Sequence, residues 1–243
     1  MEYAAMDKPM IYVIEDHDVI RDGVRQYLEL SGFDCMTFAN LKEADIGFSD
    51  RLPDLLLQDV MLPDGDGFEY VKELRKKYDF PVIFMTARVE ESDRILGFEI
   101  GADDYITKPF SPKELVLRVK AVLRRYQKAK LGYSGDEVDM TFEFNGNTLK
   151  IERDAHQCSV GGELLSLTAA EWRVLLCLVD NAHLLVSRGK ILEECFDYSA
   201  ESYERIVDTH IKNIRAKLGD GGWIETVRGY GYRFVGICQD DDA

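Results

Sequence analysis

Short apolar runs alternate with segments of helical period through the first half of the chain. Met10 to Ile14 is an apolar run that stops on two adjacent carboxylates, Glu15 and Asp16. Ile20, Val24, Tyr27 and Leu28 follow at helical spacing, and Ser31-Gly32 closes that segment. Phe33 to Phe38 reads as a second strand and Leu41 to Phe48 as a short helix. Leu55 to Gln58 is apolar at nearly every position, the pattern of a strand covered on both faces, and it runs out on Asp59. Pro63 to Gly67 is a dense cluster of turn formers. Phe68, Val71 and Leu74 mark a helix reaching Tyr78, and Val82 to Met85 is a fourth strand ending at Thr86. A helix near Ser92 to Ile100, a strand from Tyr105 to Thr107 ending at Lys108, and a helix from Pro112 to about Tyr126 complete the series. Five strand–helix repeats predict a doubly wound α/β unit, a five-stranded parallel sheet with helices on both faces.

The pattern changes after Arg124, where charged, small and Gly-containing residues suggest a linker. Phe142–Phe144, Thr148–Ile151, Gln157–Val160 and Leu164–Leu165 read as short antiparallel strands joined by Asn-Gly and Gly-Gly turns. Thr168 with Glu171 forms a capping box ahead of a helix carrying Trp172, Leu175, Leu176 and Val179. Further helices are predicted from about Arg188 to Cys195 and from about Ser202 to Leu218. Ile224 to Val227 and Tyr232 to Ile237 then form a hairpin around a glycine-rich tip that carries Arg228. Helix–turn–helix followed by a hairpin is an α+β winged helix. The expected division is a first domain over 8–127, a linker over 128–135 and a second domain over 136–240.

Composition sharpens this without deciding function. Apolar residues make up 46% and charged residues 31%, as in water-soluble globular domains. No apolar run approaches the ~18 residues of a membrane span, and MEYAAMDKPM lacks the regions of a signal peptide. Five scattered cysteines with no CxxC pair imply reduced thiols in a cytoplasm. The net charge is −15, and both halves are acidic, so any nucleic-acid contact must rest on local placement.

Candidate chemistry lies at the strand ends. In a parallel sheet, Glu15, Asp16, Asp59, Thr86 and Lys108 all reach one edge. Three carboxylates crowded together call for a cation, and hard oxygen ligands favour Mg²⁺. A lysine and a hydroxyl beside them suit phosphate oxygens, so the edge reads as a carboxylate nucleophile poised for a phosphoryl group. In the second domain Val207, Ile211, Ile214 and Leu218 form an apolar stripe. Arg205, Thr209, Lys212, Asn213 and Ala216 are expected on the opposite side with Arg215 on the flank, a composition suited to a major groove.

Glu15-Asp16, LLLQDVMLPDGDG, FMTA and GADDYITKPFSPKEL together resemble the flavodoxin-like receiver domain of two-component response regulators over about residues 8 to 127. LTAAEWRVLLCLV, IVDTHIKNIRAKLG and ETVRGYGYRF resemble the winged-helix effector of the OmpR/PhoB family. The resemblance implies a transcription regulator, not an enzyme, in which a sensor histidine kinase phosphorylates Asp59 in a phosphorelay. It implies Mg²⁺ held by Glu15, Asp16, Asp59 and the carbonyl of Met61, with Thr86 and Lys108 on the phosphoryl group and Tyr105 turning inward. It implies a homodimer face built from Arg94, Glu99, Asp104, Glu114, Arg118 and Lys120, with Arg94–Glu114 and Asp104–Arg118 pairing between subunits. The third helix would enter the major groove of promoter DNA, Arg228 the minor groove, and the loop Phe196 to Tyr203 would touch RNA polymerase.

One departure stands out: the effector region is acidic and Asn213 occupies a position often basic in relatives. Weak non-specific affinity and reliance on dimerisation are expected. Two rival readings follow from the same residues. One is a phosphatase-type enzyme using Asp59 on external substrates, which leaves the winged helix unexplained. The other is a DNA-binding regulator independent of phosphorylation, with the receiver as dimer scaffold.

Overall fold

Strands that are apolar at every position need cover on both faces, and the first part of the chain supplies it. The computed structural model describes residues 8–87, 91–131, 139–196, 204–219 and 222–239, without the side chains of 91, 92, 94, 95 and 128–131. The chain divides into two units between Arg124 and Arg125. Through the first run β1 (Met10–Ile14), α1 (Asp18–Leu30), β2 (Asp34–Phe38), α2 (Leu41–Asp50), β3 (Leu55–Asp59), β4 (Met61–Leu62), β5 (Gly65–Asp66), α3 (Gly67–Leu74), β6 (Val82–Thr86), α4 (Glu91–Glu99), β7 (Asp104–Thr107) and α5 (Pro112–Leu131). The sheet order is β2-β1-β3-β6-β7, with every pairing parallel.

Alternate residues of each strand feed two separate cores. Ile11, Val13, Leu55, Leu57, Ile83 and Met85 pack with Val24 and Leu28 of α1 and with Leu115, Val119 and Leu123 of α5. The other face is aromatic: Tyr12 lies edge-on to Phe48 at 5.3 Å and Phe68 to Phe84 at 4.8 Å. From β1 the chain moves out to β2 and then returns to β3 on the other side of β1. The loops leaving β1 and β3 therefore diverge and leave a crevice at their carboxyl ends, the usual ligand position in such sheets.

The turn-forming cluster after Asp59 is a small hairpin, with Met61 paired to Asp66 and Leu62 to Gly65. Its carboxylates serve helix starts. Asp66 accepts from the Phe68 N–H at 2.8 Å and caps α3, while Asp64 accepts from Leu41 and Lys42 at 3.1 and 3.2 Å and holds the start of α2. Helix α5 passes the expected end at Tyr126 and runs to Leu131. Gln127 to Leu131 are all good helix formers, so the segment expected to begin a linker at 128 opens inside a helix. The rest of that linker, residues 132–135, and the expected start of the second domain, 136–138, lie outside the described residues.

The second unit holds β8 (Met140–Phe144), β9 (Asn147–Glu152), β10 (Gln157–Val160), β11 (Glu163–Leu164), α6 (Ala169–Asp180), β12 (Val186–Ser187), α7 (Arg188–Phe196), α8 (Glu204–Leu218), β13 (Ile224–Val227), β14 (Gly231–Phe234) and β15 (Ile237–Gln239). The predicted two-residue turns occur at Asn145-Gly146 and Gly161-Gly162. The capping box forms as predicted, with the Glu171 N–H donating to Thr168 Oγ1 at 3.3 Å and the Thr168 N–H to Glu171 Oε2 at 2.8 Å. Lys217 of α8 adds an ion pair to Glu171, so the end of one helix is fastened to the start of another. Trp172, Leu175, Ile191, Leu192, Val207, Ile211 and Ile214 fill the space between α6, α7 and α8.

Two strand boundaries differ from expectation. The strand predicted from Tyr232 to Ile237 stops at Phe234, and Ile237–Gln239 crosses to the other sheet to pair with β8. At the crossing, a Cβ on Gly236 would lie 2.7 Å from the Phe234 ring, so the bend needs a residue without one. The unpredicted β12 pairs with β14, giving a three-stranded sheet of order β12-β14-β13. The helix expected from Ser202 is described from Glu204 onward.

Candidate functional site

The carboxyl edge of the first sheet gathers the predicted chemistry. Ligand oxygens of Glu15, Asp16 and Asp59 all lie within 4.8 Å of one another. Glu15 follows β1 and is fully buried, Asp59 ends β3 and is 4% exposed, and Asp16 is open to solvent. Lys108 reaches in from the end of β7, its Nζ 2.6 Å from Glu15 Oε2 and 2.7 Å from Asp59 Oδ2. The other Asp59 oxygen accepts from the Met61 N–H at 3.2 Å. Asp59 is thus held at both oxygens, one by an ammonium and one by a main-chain donor.

Electrostatics follow from this crowding. Burial raises the Glu15 pKa, and the Asp59 charge adds to that while the Lys108 contact opposes it. Burial alone would depress the Lys108 ammonium, but its bonds to Asp59 and Glu15 outweigh it and the pKa is raised. One ammonium between two buried carboxylates leaves an excess of negative charge. Three hard oxygens with that excess can hold a divalent cation of the Mg²⁺ type.

Two supports were not singled out in the sequence. Arg21 of α1 donates to the carbonyls of Glu15 and Asp16 at 2.8 and 3.1 Å and fixes the acidic loop. Its spacing from the acidic pair, about one and a half helical turns, is a signal only once the loop is known. Gly67 passes so close to β3 that a Cβ there would stand 2.2 Å from the Asp59 carbonyl. Thr86 is fully buried at the end of β6, and the Lys108 N–H donates to its carbonyl at 2.7 Å. Tyr105 is 7% exposed, its ring 6.5 Å from that of Phe84, so it faces inward.

Of the residues expected on a dimer face, Glu99, Glu114 and Lys120 are exposed, whereas Asp104 is buried. Arg118 bonds within its own chain, to Asp104 at 3.2 Å and to Glu114 at 2.9 Å. The Arg94 side chain lies outside the described residues.

On the second unit, Arg205, Lys212 and Ala216 are exposed and Asn213 is half-buried, on one side of α8. Thr209, expected on that open side, is 7% exposed and does not belong to it. Ile206, Val207 and His210 around it are buried too, because the first turns of α8 are sunk more deeply than the apolar stripe implied. Arg215 points at the hairpin: it donates to the Ile224 carbonyl at 2.6 Å and to Thr226 Oγ1 at 2.8 Å. Arg228 is exposed at the hairpin tip, and the neighbouring Tyr230 is 68% exposed. Gly231 follows, where a Cβ would lie 2.1 Å from the Val186 carbonyl. The loop from 197 to 203 lies outside the described residues. No described helix is long and apolar enough to cross a membrane, and all five cysteines are free thiols.

Comparison with known proteins agrees with both halves of this geometry. Residues 11–120 match the response regulator receiver domain family, and residues 162–234 match the family described as transcriptional regulatory protein, C terminal. The probable transcriptional regulator ycf27 of Porphyridium aerugineum is 41% identical over 235 residues, covering 94% of this chain and 97% of its own. The transcriptional regulatory protein SrrA of Staphylococcus aureus (strain NCTC 8325 / PS 47) is 37% identical over 239 residues, covering 96% and 98%. Among solved structures, a mutant form of RitR superposes with a TM-score of 0.73 at 22% identity over 93% of this chain and 98% of its own, which shows a common fold. The chain belongs to the response regulators of OmpR/PhoB type, transcription regulators in which a receiver domain precedes a DNA-binding effector domain.

Proposed function

We propose that Asp59 accepts a phosphoryl group from a sensor histidine kinase and that the modified chain dimerises on promoter DNA in the cytoplasm. The observation that carries this is the setting of Asp59: at the sheet edge, beside Glu15 and Asp16, with Lys108 on one oxygen. Glu15, Asp16, Asp59 and the Met61 carbonyl would hold Mg²⁺. When bound, the ion neutralises the crowded carboxylates and draws charge from the transferring phosphoryl group.

An Asp59 carboxylate oxygen forms the new bond to phosphorus as the bond from phosphorus to the kinase imidazole nitrogen breaks. Lys108 keeps its proton and turns from the carboxylates to the phosphoryl oxygens, where the Thr86 hydroxyl also donates. Tyr105, turned inward, accompanies this Thr86 contact. Water later cleaves the acyl phosphate, so the chain resets itself and acts on no external substrate.

The face of Arg94, Glu99, Asp104, Glu114, Arg118 and Lys120 forms the symmetric contact. Arg205, Lys212 and Asn213 approach the major groove and Arg228 the minor groove, with Arg215 and Thr209 serving behind them. The loop around 196–203 meets RNA polymerase.

The test is to incubate the full chain with Mg²⁺ and acetyl phosphate and to map the product by mass spectrometry. A hydroxylamine-labile phosphate on Asp59, absent in Asp59→Asn, is expected, together with a gain in DNA affinity that the variant lacks. If Asp59→Asn binds DNA as tightly as the phosphorylated chain, the switch fails and a scaffold role replaces it.

A further inference from the structure

We infer that Tyr232 is a positioning residue that fixes the hairpin against α8 and so sets the distance between the two sets of DNA contacts. This rests on the DNA-binding reading of the α8 face. Tyr232 lies on β14 and is 4% exposed. Its hydroxyl donates to Asp208 Oδ1 of α8 at 2.5 Å, and Arg188, the first residue of α7, donates to the same oxygen at 2.6 Å. Arg188 also donates to the Tyr232 hydroxyl oxygen at 3.3 Å. One strand of the hairpin is thereby tied to both helices at a single carboxylate oxygen.

The second tie uses the other strand. Arg215 of α8 donates to the Ile224 carbonyl and the Thr226 hydroxyl of β13. The guanidinium carbons of Arg188 and Arg215 lie 4.9 and 5.7 Å from the Tyr232 ring centre, both within cation–π range. Asp208 and Arg215 are seven positions apart in sequence, so the ties are separated by two turns, about 10 Å along α8. A single tie would let the hairpin swing about one point. Rooted two turns apart on α8, the ties converge on both strands of the hairpin at the paired residues Thr226 and Tyr232, which fixes its distance and limits its swing.

The arrangement is guarded against loosening. The close pass of Gly231 over Val186 leaves no room for a side chain between β14 and β12. Burial, and then acceptance by Asp208, push the Tyr232 hydroxyl up to about 12, so it remains a donor at any physiological pH. Lys212 and Asn213 lie on α8 between the two ties, whereas Arg228 lies at the far tip of the hairpin. Their separation on DNA is therefore set by Tyr232, Asp208 and Arg215, none of which needs to touch a base.

The test uses the full phosphodonor-treated chain and a duplex that the wild type selects from a random pool. Hydroxyl-radical footprints and the salt dependence of affinity are compared for wild type, Tyr232→Phe and Asp208→Ala, with folding checked by tryptophan fluorescence. Both variants are expected to keep the footprint of α8 and to lose protection on the hairpin side. The slope of log affinity against log salt should fall by about one as the cationic contact of Arg228 at the minor groove is lost. Should Tyr232→Phe unfold, Asp208→Ala, at a half-exposed helix position, decides in the same assay. Folded variants with the full two-part footprint and an unchanged slope overturn the inference. A wild-type chain that selects no duplex overturns it together with the DNA-binding reading.

Discussion

Lys108 Nζ lies 2.7 Å from Asp59 Oδ2 and 2.6 Å from Glu15 Oε2, so one side chain from β7 neutralises charge delivered by β3 and β1. Without the ammonium, two buried carboxylates face each other. Lys108→Met is expected to destabilise the receiver by about 3 kcal/mol in the absence of divalent cations. Mg²⁺ should raise the melting temperature of the variant more than that of the wild type. Thermal unfolding across a Mg²⁺ titration measures both, and an equal rise in the two proteins would contradict the shared-charge account.

Gly67 and Gly23 make a matched pair. A methyl at Gly67 would collide with the Asp59 main chain, whereas a methyl at Gly23, in the interior of α1, meets nothing within 4 Å. Gly67→Ala should cost about 3 kcal/mol or more and abolish acyl-phosphate formation, because the strand end carrying the acceptor must move. Gly23→Ala should gain about 0.5–1 kcal/mol from helix propensity and leave phosphorylation intact. Chemical denaturation together with acetyl-phosphate labelling separates the two outcomes.

Arg118 binds Asp104 and Glu114 inside its own chain, so any bond it makes to a second copy must be shared with these. Arg118→Glu places three carboxylates together on the proposed dimer face. Analytical ultracentrifugation with and without phosphodonor should show dimerisation weakened at least tenfold, about 1.4 kcal/mol. Unchanged association would remove this face from the interface.

His210 provides a pH signature for the second unit. It is fully buried with its ring stacked on Phe196 at 5.1 Å, and burial, helped by the charges of Arg173 and Lys217, lowers its pKa from 6.5 to about 3. Between those values the unfolded chain takes up a proton that the folded one refuses. Stability from this group is complete above pH 6.5 and falls as pH drops, by up to about 1.4 kcal/mol per pH unit. Both tryptophans, Trp172 and Trp223, are buried in this unit, so urea unfolding followed by their fluorescence reports it alone. His210→Phe should flatten the slope between neutral pH and about pH 5.

What could be read beforehand depended on how local the cause is. The five parallel strands were legible because cover on both faces leaves Leu55 to Leu57 and Val82 to Met85 with no polar position except at their ends. Those same ends put Asp59, Thr86 and Lys108 on view. β12 and β15 were not legible, being two and three residues long and defined only by partners far away in sequence. Arg215 looked like a groove reader because nothing nearby in sequence claims its guanidinium; the Ile224 carbonyl does. The end of α5 was misplaced for the opposite reason: a charged segment resembling a linker in composition also continues a helix.

The crossing of β15 to β8 brings the first and last strands of the second unit side by side. The start of β8 and the end of β15, where the backbone enters and leaves that sheet, are therefore adjacent. Such a unit behaves as an exchangeable cassette: it can be grafted behind a different receiver, or its neighbouring ends joined and new ones opened elsewhere, without cutting its core. Recombination between genes could trade input domains against this output domain at little structural cost.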